Sequence, residues 1–314
     1  MKFLYRNVLK QALKITWRLK FLWFFGVFAS VLLSGEEYDI IIRNFSTVTN
    51  LEEWIRNLRE NFNTNYLTDI WQGFTGYFNN NIFSAIVVIF AILLIGAIVI
   101  FLIIASHAAI INATARFRRG EKVEFLDGFI IGGKKFWPLF RLNLLAKAIL
   151  YGFLLGPGIP LAIIYLKSGQ FVWLGIMSLI TFLVLIPFNI FISFTTRYAT
   201  IYVVLQGEKV WAAVKKSLIL FRKNWLITLE NATLVYAINF FISFFIVGTL
   251  VYSELPFTQV GYIIYFLITL YIGAVMATFQ FSVWTELFSY LNEGSAVSKI
   301  IRLFRGEPKK EKEL

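Results

Sequence analysis

Charge inside an apolar helix is where chemistry would be expected in this chain. Lys147 falls nine residues after Pro138 within a long apolar run, with Asn143 one helical turn earlier and Arg141 close to it. At 1.5 Å of rise per residue, a helix opened by Pro138 carries Lys147 about 14 Å along its axis. Glu230 and Asn231 hold the matching place in another apolar run. An ammonium, a carboxylate and two amides at such depth are costly, and they could line a path for a small solute or lipid. The plain alternative is that Arg141 and Glu230 snorkel to the interface while the amides bond helix to helix. The residues favour that alternative.

Arg197 and Glu286 lie near the ends of two further runs and read as a structural ion pair. His107 is the single histidine, with Arg116 and Arg118 nearby, which disfavours a proton relay. With no cysteine and one histidine, disulfides, thiolate metal sites and multi-histidine metal sites are excluded. No nucleophile with its base, phosphate-cradling glycine loop or carboxylate cluster is present, so no cofactor is expected and an enzyme is the less favoured class. Gly156-Pro157-Gly158-Ile159-Pro160 could break a helix to line a transport site, but reads better as a helix end.

The elements that must hold these residues are membrane spans. Of 314 residues 58% are hydrophobic and 15% charged, and the mean hydropathy is +0.71. Soluble domains carry about 25% charged residues. Six runs approach the roughly 20 residues a helix needs to cross the bilayer: about 21–33, 82–105, 138–155, 171–193, 226–252 and 260–285, with a kink expected at Pro187. Most basic residues fall in 1–20, 106–137, 206–224 and 286–314, whereas the opposite loops are net acidic. Positive loops stay inside, which puts both termini in the cytoplasm of a cell-membrane protein. The net charge of +12 is therefore read as contact with anionic lipid and not with nucleic acid. Residues 1–35 have some features of a cleaved signal peptide, but the basic lead is long and no Ala-x-Ala site follows.

The chain also repeats itself. Gly120-Glu121-Lys122-Val123 recurs 87 positions later as Gly207-Glu208-Lys209-Val210, and Gly294 stands another 87 positions on. Lys135-Phe136-Trp137 parallels Lys223-Asn224-Trp225. The units are about 1–119 with an outer insertion at 35–80, 120–206 and 207–293, followed by a tail at 294–314, all within one membrane domain. Each unit reads as a glycine turn, a basic amphipathic helix lying in the membrane surface, an interfacial Trp and a transmembrane hairpin. In 208–224, Val210, Val214, Leu218 and Phe221 form the arc expected to face the bilayer. Lys2, Arg6, Lys10, Lys14, Arg18, Lys134, Lys135, Lys215, Lys216, Arg222 and Lys223 are the expected contacts to anionic headgroups. In the insertion, Leu51, Ile55, Leu58 and Phe62 have helical spacing, and Asn44-Phe45-Ser46 matches a glycosylation sequon.

Two stretches resemble a known group. They are Arg197-Tyr198-Ala199 with Val210-Trp211-Ala212-Ala213-Val214-Lys215-Lys216-Ser217-Leu218 and Lys223-Asn224-Trp225, and Ala12-Leu13-Lys14-Ile15-Thr16-Trp17-Arg18 with Leu22-Trp23-Phe24-Phe25-Gly26. Both resemble prokaryotic multi-pass proteins that include the membrane domain fused to some glycerophosphodiester phosphodiesterases. The resemblance implies the same helix plan and a cell-membrane location. It implies no catalytic residues, because the chemistry of fused members belongs to a separate domain. A likeness to mitochondrial carriers is set aside, since Pro-x-[Asp/Glu]-x-x-[Lys/Arg] is missing at the three odd spans. The expected function is non-enzymatic: organising or sensing the membrane, or serving membrane-protein partners as an accessory subunit. A transporter or channel for a small solute or lipid is the alternative.

Overall fold

The computed structural model describes residues 4–31, 72, 76, 82–168, 171–252 and 259–293. All regular elements among them are helical: α1 (Leu4–Arg18), α2 (Leu22–Val31), α3 (Ile82–Arg118), α4 (Phe125–Ser168), α5 (Phe171–Ile201) with a π-helical turn (Tyr202–Gln206), α6 (Val210–Lys223), α7 (Trp225–Tyr252) and α8 (Gln259–Asn292). Among the described residues, four stretches are long and apolar enough to cross a membrane: Ile86–Arg118, Ile186–Gln206, Trp225–Ile246 and Ile263–Asn292. The expected first span is described only over the ten residues of α2. The expected third lies within α4, where Arg141, Asn143 and Lys147 lower the hydropathy of the described run. The insertion helix at 51–62, the sequon, Lys2 and the 294–314 tail lie outside the described residues.

Three boundaries differ from expectation. The loop expected at 106–137 shrinks to residues 119–124, because α3 runs on to Arg118 and α4 starts at Phe125. Pro138 therefore sits inside a helix instead of opening one. The start of α4 is set by Asp127, whose carboxylate accepts from the Glu124 N–H at 3.2 Å, half of a capping box. The Gly156–Pro160 stretch does not end the helix either, since α4 is continuous through it to Ser168. Prolines are tolerated in membrane helices where neighbouring groups satisfy the freed carbonyls.

Asn224 explains why the later segment breaks where α4 does not. Its side-chain amide donates to the Leu220 carbonyl at 3.0 Å, ending α6, and its own carbonyl accepts from the Thr228 N–H and hydroxyl, starting α7. Asparagine competes for backbone partners in this way. Phe136, the parallel residue in α4, has no such group.

Residues 4–31 and 103–293 of the described chain belong to one compact unit, and 82–102 to a second. In the first, burial gathers at one end of the bundle. The core joins Val8 and Ala12 of α1, Ile104 and Ile111 of α3, Leu139 and Leu142 of α4, Tyr198 and Val203 near the end of α5, Ala213 of α6, Ile227 of α7 and Leu287 of α8. Large apolar side chains beyond it are exposed, as at Tyr236, Phe241 and Phe245 on α7 and Ile263, Phe266 and Tyr271 on α8. In the second unit, Phe83, Phe90 and Leu93 are likewise exposed.

Several close helix contacts use small residues. Gly128 and Gly132 of α4 meet Ala109 and Ala105 of α3, and Gly26 of α2 meets Ala274 and Thr278 of α8. Small residues one turn apart let helix backbones approach closely. The Thr278 hydroxyl lies 2.9 Å from the Ala274 carbonyl of its own helix and 3.1 Å from the Leu22 carbonyl of α2. Gly120 and Gly207 have φ of +77° and +69°, each leading from one helix to the next. Gly207→Ala is expected to cost about 1 kcal/mol, the usual penalty for a Cβ in left-handed backbone, read as a lower unfolding midpoint in detergent.

Candidate functional site

The polar residues expected to form a site lie on two helices, α4 and α7. On α4, Arg141 is exposed, Lys147 is half-buried, and the Asn143 amide donates to the Leu139 carbonyl of its own helix at 3.0 Å. α4 starts thirteen residues before Pro138. On α7, Glu230 accepts a hydrogen bond from the Tyr5 hydroxyl of α1. Asn231 is fully buried, and neither atom of its amide has a protein partner.

The ion pair expected between Arg197 and Glu286 is replaced. Glu286, 1% exposed, pairs with Arg118 at 3.3 Å, and the same guanidinium holds Glu293 at 2.8 Å and lies 4.7 Å from the Tyr290 ring centroid. Arg118 ends α3 beside the last turns of α8, so its long side chain reaches both carboxylates. Arg197 instead lies over the Trp284 ring, 5.0 Å from its centroid. His107 is buried within α3, stacked on Phe281 at 4.6 Å and hydrogen-bonded to the Ala29 backbone.

Two hydroxyl pairs between helices were also not legible in the sequence. Tyr198 and Thr228 share a 2.8 Å hydrogen bond between α5 and α7, and Thr114 and Ser282 a 3.1 Å bond between α3 and α8. Hydroxyls inside apolar runs are a weak signal for such bonds, since the sequence does not say which helices meet.

At the 119–124 turn, Arg116 reaches Glu121 at 2.9 Å, Asp127 at 2.7 Å and the Lys122 carbonyl at 3.0 Å. The carboxyl of Glu121 is held below its ordinary range by hydrogen bonds from Arg119 and then Arg116. That of Asp127 is lowered by the Glu124 N–H and then Arg116. Both groups titrate lower in the folded chain, so their contribution is complete above the ordinary carboxylate range and is lost as pH falls through the lowered values. Backbone hydrogen exchange at 119–127, corrected for its intrinsic pH dependence, is expected to lose protection only as pH falls below the ordinary carboxylate range, under about pH 4.

The basic residues form exposed faces on α1 and α6. Arg6, Lys10, Lys14 and Arg18 are exposed on α1, and Lys215, Lys216, Arg222 and Lys223 on α6; Lys134 is exposed on α4 and Lys135 half-buried. Lys216 also pairs with Glu208. The arc of α6 assigned to the bilayer is turned into protein instead: Val210, Val214 and Phe221 pack on the core. The apolar residues that α6 leaves outside are Trp211, 63% exposed, and Ile219, 68% exposed. They alternate with Lys215 and Arg222 along one stripe. On α1, Leu13 and Trp17 continue a stripe begun by Arg6 and Lys10.

Compared with protein-family models, with curated proteins and with solved structures, the chain finds no match in any of the three.

Proposed function

We propose that this chain is a six-span protein of the cell membrane, built as three hairpin units, that organises or senses an anionic membrane surface without enzymatic chemistry of its own. It acts alone or as an accessory to membrane-protein partners, with both termini and the basic end of the bundle in the cytoplasm. The observation that carries this reading is the pair of exposed stripes on α1 and α6. Each combines Trp and an aliphatic residue with Lys and Arg, opposite a face already buried against protein. Such a stripe suits the headgroup layer, where ring and aliphatic stem enter the acyl boundary while the charges meet lipid phosphates.

Helix length supports the placement. α7 and α8 contain 28 and 34 residues, or about 42 and 51 Å, against a hydrocarbon core of about 30 Å. One end of each helix extends past the core, and the buried, basic end has the composition for it. The like backbone of Gly120 and Gly207, at the same place in two units, supports the repeat.

The test is hydrogen exchange of the full chain in nanodiscs, with phosphatidylcholine alone or mixed with phosphatidylglycerol. Protection of α1 and α6 is expected to rise with the anionic fraction, and replacing Lys215, Lys216, Arg222 and Lys223 by Gln is expected to abolish that response in α6. Protection independent of lipid charge defeats the reading.

A path for a small solute or lipid is the second reading, favoured by the buried, unpartnered amide of Asn231. It requires that Asn231→Leu stop uptake of some member of a panel of small polar solutes into reconstituted vesicles. Without a path, the same change removes two unsatisfied atoms and does no more than alter stability.

A further inference from the structure

We infer that His107, Arg197 and Trp284 form a binding site for a phosphate-type oxyanion that also bears a hydroxyl. Four helices bring the groups together. His107 of α3 stacks on Phe281 of α8, and Arg197 of α5 lies over Trp284 one turn further along α8. Arg197 is close enough for its charge to act on the imidazole, whose other flank is fixed by the Ala29 backbone of α2. Phe194 and Tyr198 of α5 wall the indole, with ring centroids 5.5 and 6.0 Å away.

Three polar groups present complementary needs here. The Trp284 Nε1–H is a donor only, it is buried, and no protein group accepts from it. The guanidinium adds donors and a positive charge. His107 donates through one ring nitrogen to the Ala29 carbonyl, which leaves Nε2 an acceptor, and Nε2 is also buried without a protein partner. Buried polar atoms are paired in nearly all native structures, so two such atoms on residues that neighbour one guanidinium point to a ligand. A phosphate oxygen would take the indole and guanidinium hydrogens, and a hydroxyl on the phosphate or on its alcohol would donate to Nε2. The nearest carboxylate along α8, Glu286, is engaged by Arg118 and does not oppose an anion.

The ligand can come from a lipid headgroup or from free phosphate, and the experiment separates them. The full chain in detergent is titrated with phosphatidylglycerol, with phosphatidylmethanol, which is anionic but lacks a headgroup hydroxyl, and with inorganic phosphate, and bound species are counted by native mass spectrometry. Phosphatidylglycerol or phosphate is expected to bind, and Trp284→Phe, which keeps an aromatic ring and deletes the N–H, is expected to weaken it roughly tenfold, about one charge-assisted hydrogen bond. His107→Leu is expected to erase any preference for phosphatidylglycerol over phosphatidylmethanol. Phosphate that binds alone and competes with lipid identifies the free ion as the source, whereas lipid binding indifferent to phosphate identifies the headgroup. Replacing the basic residues of α6 leaves this binding unchanged, so it stands or falls apart from the surface stripes. Binding of neither probe overturns the site, as does binding that Trp284→Phe and Arg197→Gln both leave unchanged.

Discussion

Gly26→Leu is expected to prevent α2 from seating on α8 and to abolish recovery of folded protein. A Cβ on Gly26 would overlap the Ala274 carbonyl oxygen, lie 2.5 Å from the Thr278 hydroxyl and 2.9 Å from the Ala274 carbonyl carbon. Two of those atoms are backbone and cannot swing aside, so even Gly26→Ala must push the helices apart. Overpacking of this kind costs about 1–3 kcal/mol, and more where backbone is struck. The displacement would also separate the Thr278 hydroxyl from the Leu22 carbonyl. Gly273 supplies the control on the same pair of helices. A Cβ there meets only the Ser30 side chain, at 3.9 Å, which is ordinary contact. Gly273→Ala is therefore expected to be neutral or to stabilise by up to about 1 kcal/mol through helix propensity. Thermal unfolding of the three variants in one detergent checks both signs. If Gly26→Ala and Gly273→Ala melt alike, the close approach of α2 to α8 is refuted.

What the sequence revealed and what it hid divide along a physical line. Apolar runs and local backbone chemistry were legible. Two of the expected spans, 226–252 and 260–285, begin within a residue of α7 and α8, and the Gly120 and Gly207 turns stand where the repeated tetrapeptides put them. Proline and glycine misled at 138 and 156–160, because their breaking tendency is a local preference that a long helix with satisfied neighbours can override. The signal that did set the start of α4, an acid three residues after Glu124, was present and went unread.

Partners between helices were not legible at all. Periodicity defines a face of α6 but not what covers it, and Val210, Val214 and Phe221 face protein where a bilayer was expected. The candidate site suffered most from this. Lys147 and Asn143 lie on α4 and Glu230 on α7, and spacing within each run does not say which side chains meet across helices. Asn231 was legible as a polar residue in a span, but its lack of a partner depends on packing alone.

The same limit governs Glu286, whose partner came from a third helix, and the energetics there are expected to be asymmetric. Arg118→Met should be the more damaging change, at about 3–5 kcal/mol, because it strands a carboxylate that is 1% exposed. Glu286→Gln removes the buried charge instead and leaves the guanidinium with Glu293, at 2.8 and 2.9 Å, and with the Tyr290 ring. Its cost should be nearer 1–2 kcal/mol, since a neutral amide in the same place can still bond to the guanidinium. Combining the two changes should recover part of the loss of Arg118→Met, because the stranded charge is then gone; a double-mutant cycle of unfolding free energies measures that recovery. Equal costs for the single changes, with strict additivity in the pair, would show that Glu286 draws nothing from Arg118. The fastening of α3 to the end of α8 would then rest on Arg118 with Glu293 and the Tyr290 ring, on His107 against Phe281, on Thr114 with Ser282 and on the packing of Ile104 and Ile111 into the core.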